Sequence, residues 1–194
     1  MKVYCALIHY PVYNKHKEVI ATSITTSNIH DIARTARTYG LKAFFFVTPI
    51  QRQQLLIETI IRHWRSGYGA TYNPTRGIAL DCIRICPSIA ECIQQIEDEE
   101  GTRPHIVVTC ARSDREIIPF GRLREAMIPS TTPWLILFGT GWGLTGEILQ
   151  MADRVLEPIR GPGDYNHLSV RAAVAITLDR LLGECCGGAS LDSE

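Results

Sequence analysis

Apolar and polar positions along this chain follow two alternating rhythms. Short apolar runs at 3–9 (VYCALIH), 43–48 (AFFFVT), 78–86, 105–111 (HIVVTCA), 134–138 and 154–157 predict strands. Between them, apolar residues recur at helical spacing. Ser27-Asn28 with Asp31 in the first turn predicts a helix start, with Asn28 as its cap, and Ile29, Ile32, Ala33, Ala36 and Tyr39 on one face. Gly40 follows where a left-handed residue ends a helix. Further helices are predicted at 53–65, from Pro87-Ser88 to about Glu100, at 119–128, 145–153 and 168–183. Residues 10–27 and 66–77 read as polar connections, and 160–167 as a glycine-proline loop.

About six strands alternating with as many helices predict an α/β fold, a parallel sheet with helices on both faces. Without an internal repeat or a composition break, residues 1–183 read as one domain and 184–194 as a loose tail. In such sheets ligands bind beyond the carboxyl ends of the strands. That singles out the loops at 109–113, 138–144 and 159–167.

Charge adds a limit. Twenty basic and twenty acidic side chains cancel, so the chain as a whole is not an electrostatic nucleic-acid binder, although a local basic surface is compatible with this. No apolar run is long enough to span a bilayer and no signal-like start is present, so a cytoplasmic protein without a membrane partner is expected. Seven cysteines, odd in number and without a CxxC pair, mostly sit in apolar runs as small hydrophobes. Cys82, Cys86 and Cys92 lack a fourth ligand at zinc-like spacing, and no metal is expected.

The loop LFGTGWGLTG (137–146) holds three glycines in five positions. Its G-x-G-x-G spacing is not the dinucleotide fingerprint, and the Gly-Lys-Ser/Thr ending of a phosphate loop is missing. A plain glycine turn is the simplest reading of this loop alone. Its companion, RGPGDYNHLS (160–169), is a shaped turn that leads into a helix apolar around most of its circumference. A helix of that kind needs burial on more than one side.

These two segments, in this order, resemble the paired C-terminal motifs of the SpoU–TrmD (SPOUT) class of RNA methyltransferases, and in particular its small stand-alone bacterial members. NIHDIARTARTYG resembles the first SpoU motif, with Asn28 and Arg34 six residues apart. The resemblance spans about residues 28–183. It implies a deep C-terminal trefoil knot, a homodimer through the first and last helices, S-adenosylmethionine as cofactor, and tRNA or rRNA as substrate, methylated on a ribose 2′-oxygen or a base nitrogen. The cofactor would be held, mostly through backbone, by Thr109, Cys110 and Ala111, then by Leu137, Phe138, Gly139, Thr140, Gly141, Gly143 and Leu144. Ile159, Gly161, Gly163, Tyr165, Asn166, Leu168 and Ser169 would complete the site. Arg34 would assist the attacking hydroxyl, with Asn28 beside it.

Two positions depart from the pattern. Gly141 stands where SpoU loops usually carry glutamate, and Trp142 where a polar residue is usual. Asp164-Tyr165 resembles a TrmD signature but lies in the later loop, so Asp164 is a candidate by location only. Bland readings stand beside the functional ones. Asn166 and Ser169 suit helix caps, and Arg34 suits a solvated helix face or a phosphate-binding stripe with His30 and Arg37. Segment 62–76 interleaves Arg62, Arg65 and Arg76 with Trp64, Tyr68 and Tyr72, a composition that suits unpaired nucleic acid or a plain surface loop. A knotted-fold RNA- or nucleotide-binding protein without catalysis, and a generic doubly wound enzyme, are the competing functions.

Overall fold

The computed structural model describes residues 1–109 and 116–184. In chain order its elements are β1 (Val3–Ile8), β2 (Val12–Tyr13), β3 (Val19–Ile20), α1 (Thr26–Thr38), β4 (Ala43–Val47), α2 (Gln51–Arg65), α3 (Tyr68–Tyr72), α4 (Pro74–Leu80), β5 (Ile83–Cys86), α5 (Ile89–Glu100) and β6 (His105–Thr109). There follow β7 (Ile117–Ile118), α6 (Phe120–Met127), β8 (Trp134–Gly139), α7 (Gly146–Met151), β9 (Arg154–Leu156) and α8 (Val170–Leu182).

Seven strands form one sheet in the order β5-β4-β1-β8-β6-β9-β7, and every neighbouring pair is parallel. Because both faces are covered, the strands are unbroken apolar runs rather than alternating ones. Val3, Cys5 and Leu7 of β1 join Phe44, Phe46, Ile136 and Phe138 in one core layer, which also takes Ile29 and Ile32 of α1 and Val174 and Leu178 of α8. Tyr4, Ala6 and Ile8 join Phe45, Leu135 and Leu137 in the other, with Ile93 of α5 and Ile148 of α7.

The structure corrects several boundaries. The connection at 10–27 carries a small antiparallel hairpin, β2 with β3. Residues 66–77 are not a loop: α3 and α4 occupy most of them, and the strand expected from 78 begins at Ile83. Asn73 explains the second of these helices, since its side chain accepts from the Arg76 N–H and Pro74 sits at the first helical position. Asn28 does not cap α1. Thr25 does, accepting from the Asn28 N–H at 3.3 Å, which places Asn28 inside the first turn. Gly40 adopts the expected left-handed conformation (φ 66°).

At the last helix the cap is Ser169, not Asn166: its hydroxyl accepts from the Ala172 N–H at 3.3 Å. Ser169→Ala is therefore expected to destabilise the chain by about 1 kcal/mol, read as a lower urea midpoint at unchanged slope. An unchanged midpoint would contradict the cap. The expected double burial of α8 is met within the chain, where it packs on β8, α1 and α6.

Candidate cofactor site

β1 and β8 lie side by side at the centre of the sheet, with Ile8 opposite Gly139 at their carboxyl ends. The chain leaves β1 toward α1 in one core layer and leaves β8 toward α7 in the other. This is the topological switch point, where an open α/β sheet offers a crevice. Loop 139–144 stands there.

The hairpin holds that loop in shape. The Trp142 N–H donates to the Tyr13 carbonyl at 2.8 Å, and the Tyr13 N–H donates to the Gly143 carbonyl at 2.9 Å. The Gly146 N–H donates to the Tyr13 hydroxyl at 3.3 Å. Gly141 has φ 59°, and a Cβ at that position would lie 2.9 Å from the Tyr13 carbonyl oxygen. Both facts require glycine. A larger side chain there would run into the hairpin strand.

A buried polar chain runs under the same loop. His9 is fully buried, and its backbone N–H donates to the Val47 carbonyl at 2.9 Å. Its Nδ1 lies 3.0 Å from Thr22 Oγ1, which meets Thr140 Oγ1 at 2.5 Å. Thr140 Oγ1 donates to the Ile8 carbonyl at 2.8 Å. Each hydroxyl has one proton. If Thr140 gives its proton to Ile8, Thr22 gives its own to Thr140 and accepts from His9 Nδ1–H. Burial pushes the pKa of the ring down to about 4, partly countered by a hydrogen bond to the Thr22 backbone, so the ring is neutral near pH 7. His9 Nε2 has no partner among the described residues, and neither does Thr145 Oγ1, which is buried where the loop enters α7.

None of His9, Thr22, Tyr13 and Thr145 stood out in the sequence. His9 ends an apolar run, and its partners lie 13 and 131 positions away, so only the fold reveals the chain.

The expected site residues fall into three groups. Leu137, Phe138 and Leu144 are buried in the core. Gly139, Thr140, Gly141 and Gly143 form the loop itself, with Thr109 beside them donating its hydroxyl to the Leu137 carbonyl at 3.0 Å. Cys110 and Ala111 lie outside the described residues. The third segment, with Ile159, Gly161, Gly163, Asn166 and Leu168, is largely exposed, and Tyr165 is 81% exposed against His167. Asp164 is exposed in the same loop.

Arg34 is exposed and lines a groove between α1 and α8 with Asp31, Thr35, Thr38, Tyr39 and Ala175. Arg171 pairs with Asp31 at 2.7 Å and Tyr39 donates to Asp179 at 2.8 Å, so the two helices run side by side in the same direction. The stripe expected from His30, Arg34 and Arg37 is split, because His30 is half-buried against the Trp64 ring at 5.7 Å. No group of three or more metal-ligating side chains occurs among the described residues. No described helix is long and apolar enough to cross a membrane.

The loop fits an adenosyl ligand. Its glycines bring backbone to the crevice, and orphaned polar atoms lie at its base and its exit.

The chain is 44% identical over 179 residues to an uncharacterized protein of Aquifex aeolicus, covering 92% of this chain and 87% of that one. It is 43% identical over 182 residues to a tRNA (guanine-N(1)-)-methyltransferase of Oleidesulfovibrio alaskensis, covering 94% of this chain but 42% of that longer protein. A SpoU methyltransferase from Streptomyces viridochromogenes, solved in complex with the cofactor AdoMet, superposes with a TM-score of 0.58 at 16% identity, over 93% of this chain and 57% of that one. The family model described as SAM-dependent RNA methyltransferase matches residues 2–183, and the chain belongs to that family.

Proposed function

We propose that this chain transfers a methyl group from S-adenosylmethionine to tRNA or rRNA, with loop 139–144 at the switch point as the cofactor cradle. The observation that carries the reading is this loop, pinned by the hairpin and floored by the His9–Thr22–Thr140 chain. Trp142 N–H and the Gly143 carbonyl are committed to Tyr13, so the ligand is gripped by the Gly139–Gly141 side of the loop and by Thr145. Segment 159–169 closes over it, with Tyr165 free to swing inward.

The cofactor supplies an electrophilic methyl on a sulfonium. The chain itself must bring a ribose 2′-oxygen or a base nitrogen into line and ease the loss of its proton. Arg34 fills that role. A guanidinium donates hydrogen bonds, so it orients the attacking oxygen and stabilises its growing negative charge. Asn28, set in the first turn of α1 six residues before Arg34, would assist it. The groove holding Arg34 is lined by α1 and α8 and by none of the loop residues, which supports a homodimer through these helices in which the partner's cradle meets Arg34. A trefoil knot through loop 159–169, and a cytoplasmic setting, complete the reading.

Tritiated-methyl transfer to bulk tRNA and rRNA tests it. Arg34→Ala is expected to lower kcat at least tenfold with unchanged S-adenosylmethionine affinity. Equal rates would remove Arg34 from the chemistry. Cofactor binding without any transfer would favour the binding-protein alternative, which Gly141 in place of the usual acid keeps in view.

A further inference from the structure

We propose that the arm formed by α3 and α4 is a stacking platform for unpaired bases of the RNA substrate, with Tyr68 and Tyr72 as its two faces. This rests on the RNA methyltransferase reading for the identity of the nucleic acid.

Tyr68 and Tyr72 are 77% and 75% exposed, one helical turn apart. Their rings lie 6.4 Å apart at an interplanar angle of 22°, so both present broad faces to solvent in nearly parallel planes. A five-residue helix holding Gly69 and Thr71 has little intrinsic reason to form. It is held by Trp64 instead. A Cβ on Gly69 would fall 2.7 Å from the Trp64 ring, so only glycine allows the arm to lie that close. Arg76 covers the Trp64 ring with its Cζ 4.3 Å from the centroid, and His30 meets it edge-on. The arm is thus a fixed mount for two exposed rings. His30 ties it to the first half of α1, the helix that carries Arg34.

Charge decides what the mount receives. From Thr59 to Leu80 the chain has no acidic residue, and Arg62, His63, Arg65 and Arg76 surround the two tyrosines in sequence. Asp81 neutralises Arg65 at 2.7 Å, which leaves Arg62, exposed, and Arg76, half-buried over the Trp64 ring at the base of the arm. A second copy of the same arm would bring like charges together. A single strand brings phosphates for the arginines and π-faces for the rings, whereas the bases of a duplex are already stacked on each other.

Fluorescence anisotropy of the full chain with a short labelled oligouridylate tests this. Tyr68→Ala and Tyr72→Ala are each expected to weaken binding about tenfold, while Tyr68→Phe and Tyr72→Phe bind like wild type, since stacking needs the ring and not the hydroxyl. The affinity is expected to fall steeply with salt. Three results overturn the platform: no binding by the wild type, no loss in the double alanine variant, or an equal loss for a blunt RNA duplex. A double variant that sediments as a monomer where the wild type is a dimer overturns it in favour of a subunit contact. S-adenosylmethionine titration of the same samples keeps the two readings apart. Wild type that binds oligouridylate but no cofactor strikes the methyltransferase reading and leaves the platform standing.

Discussion

Gly141→Ala is expected to weaken S-adenosylmethionine binding at least thirtyfold and to destabilise the fold by about 3 kcal/mol. The first contribution is conformational: a residue with a Cβ at φ 59° costs roughly 1–2 kcal/mol. The second is steric. The added carbon lies 2.9 Å from the Tyr13 carbonyl, a backbone atom that the hairpin holds in place, and an overlap of this kind costs about 1–3 kcal/mol. The loop relieves the overlap by moving away from Tyr13, which breaks the Trp142 and Gly143 bonds and carries the Gly139–Gly141 backbone out of the crevice. Gly141→Glu, which restores the residue usual in SpoU loops, is expected to do worse than alanine, because it adds a charge to the same overlap. Calorimetric titration and urea unfolding check both variants. Wild-type affinity and midpoint in either one would remove the hairpin from its role as the loop's mould.

That prediction could not have come from the sequence, and the reason is physical. The loop's glycines and its place after a buried strand were legible, because apolar runs and glycine spacing are local signals. The hairpin that explains Gly141 was not. Strands of two residues, such as Val12–Tyr13, have no measurable period, and their pairing to the loop spans about 130 positions. The 66–80 segment failed differently. Asn73-Pro74 was a readable helix start, but α3 owes its existence to the Trp64 contact rather than to propensity. Asn28 shows the limit of cap reading, since four consecutive residues (Thr25, Thr26, Ser27 and Asn28) all suit the role, and backbone geometry chose Thr25. The SPOUT resemblance supplied the family. The arrangement of Arg34 in a groove beside α8 needed the helix packing.

The second large effect is expected in acid. His9 has its pKa lowered from 6.5 to about 4 by burial. Above pH 6.5 the ring is neutral in both the folded and the unfolded chain, and its contribution to stability is fully present. As pH falls below 6.5 the unfolded chain takes up a proton that the folded chain refuses, so stability drops by about 1.4 kcal/mol per pH unit. The loss stops near pH 4, where the folded ring is protonated as well, and totals about 3 kcal/mol. The groups packed around the ring, Thr22 and Phe46, carry no charge that would hold an imidazolium there. His9→Phe removes the titration while keeping a ring of similar size against Phe46. Urea unfolding at about pH 7 and about pH 5 is therefore expected to show a drop in the wild type that exceeds the drop in His9→Phe by about 2 kcal/mol, whatever the other histidines contribute. Because Thr22 and Thr140 hang from the same imidazole, cofactor affinity is expected to fall only as the pH approaches 4, where the folded ring takes up its proton, and in the wild type only. Parallel pH profiles for the two proteins would mean that His9 is a packing residue and that the loop is floored by something else.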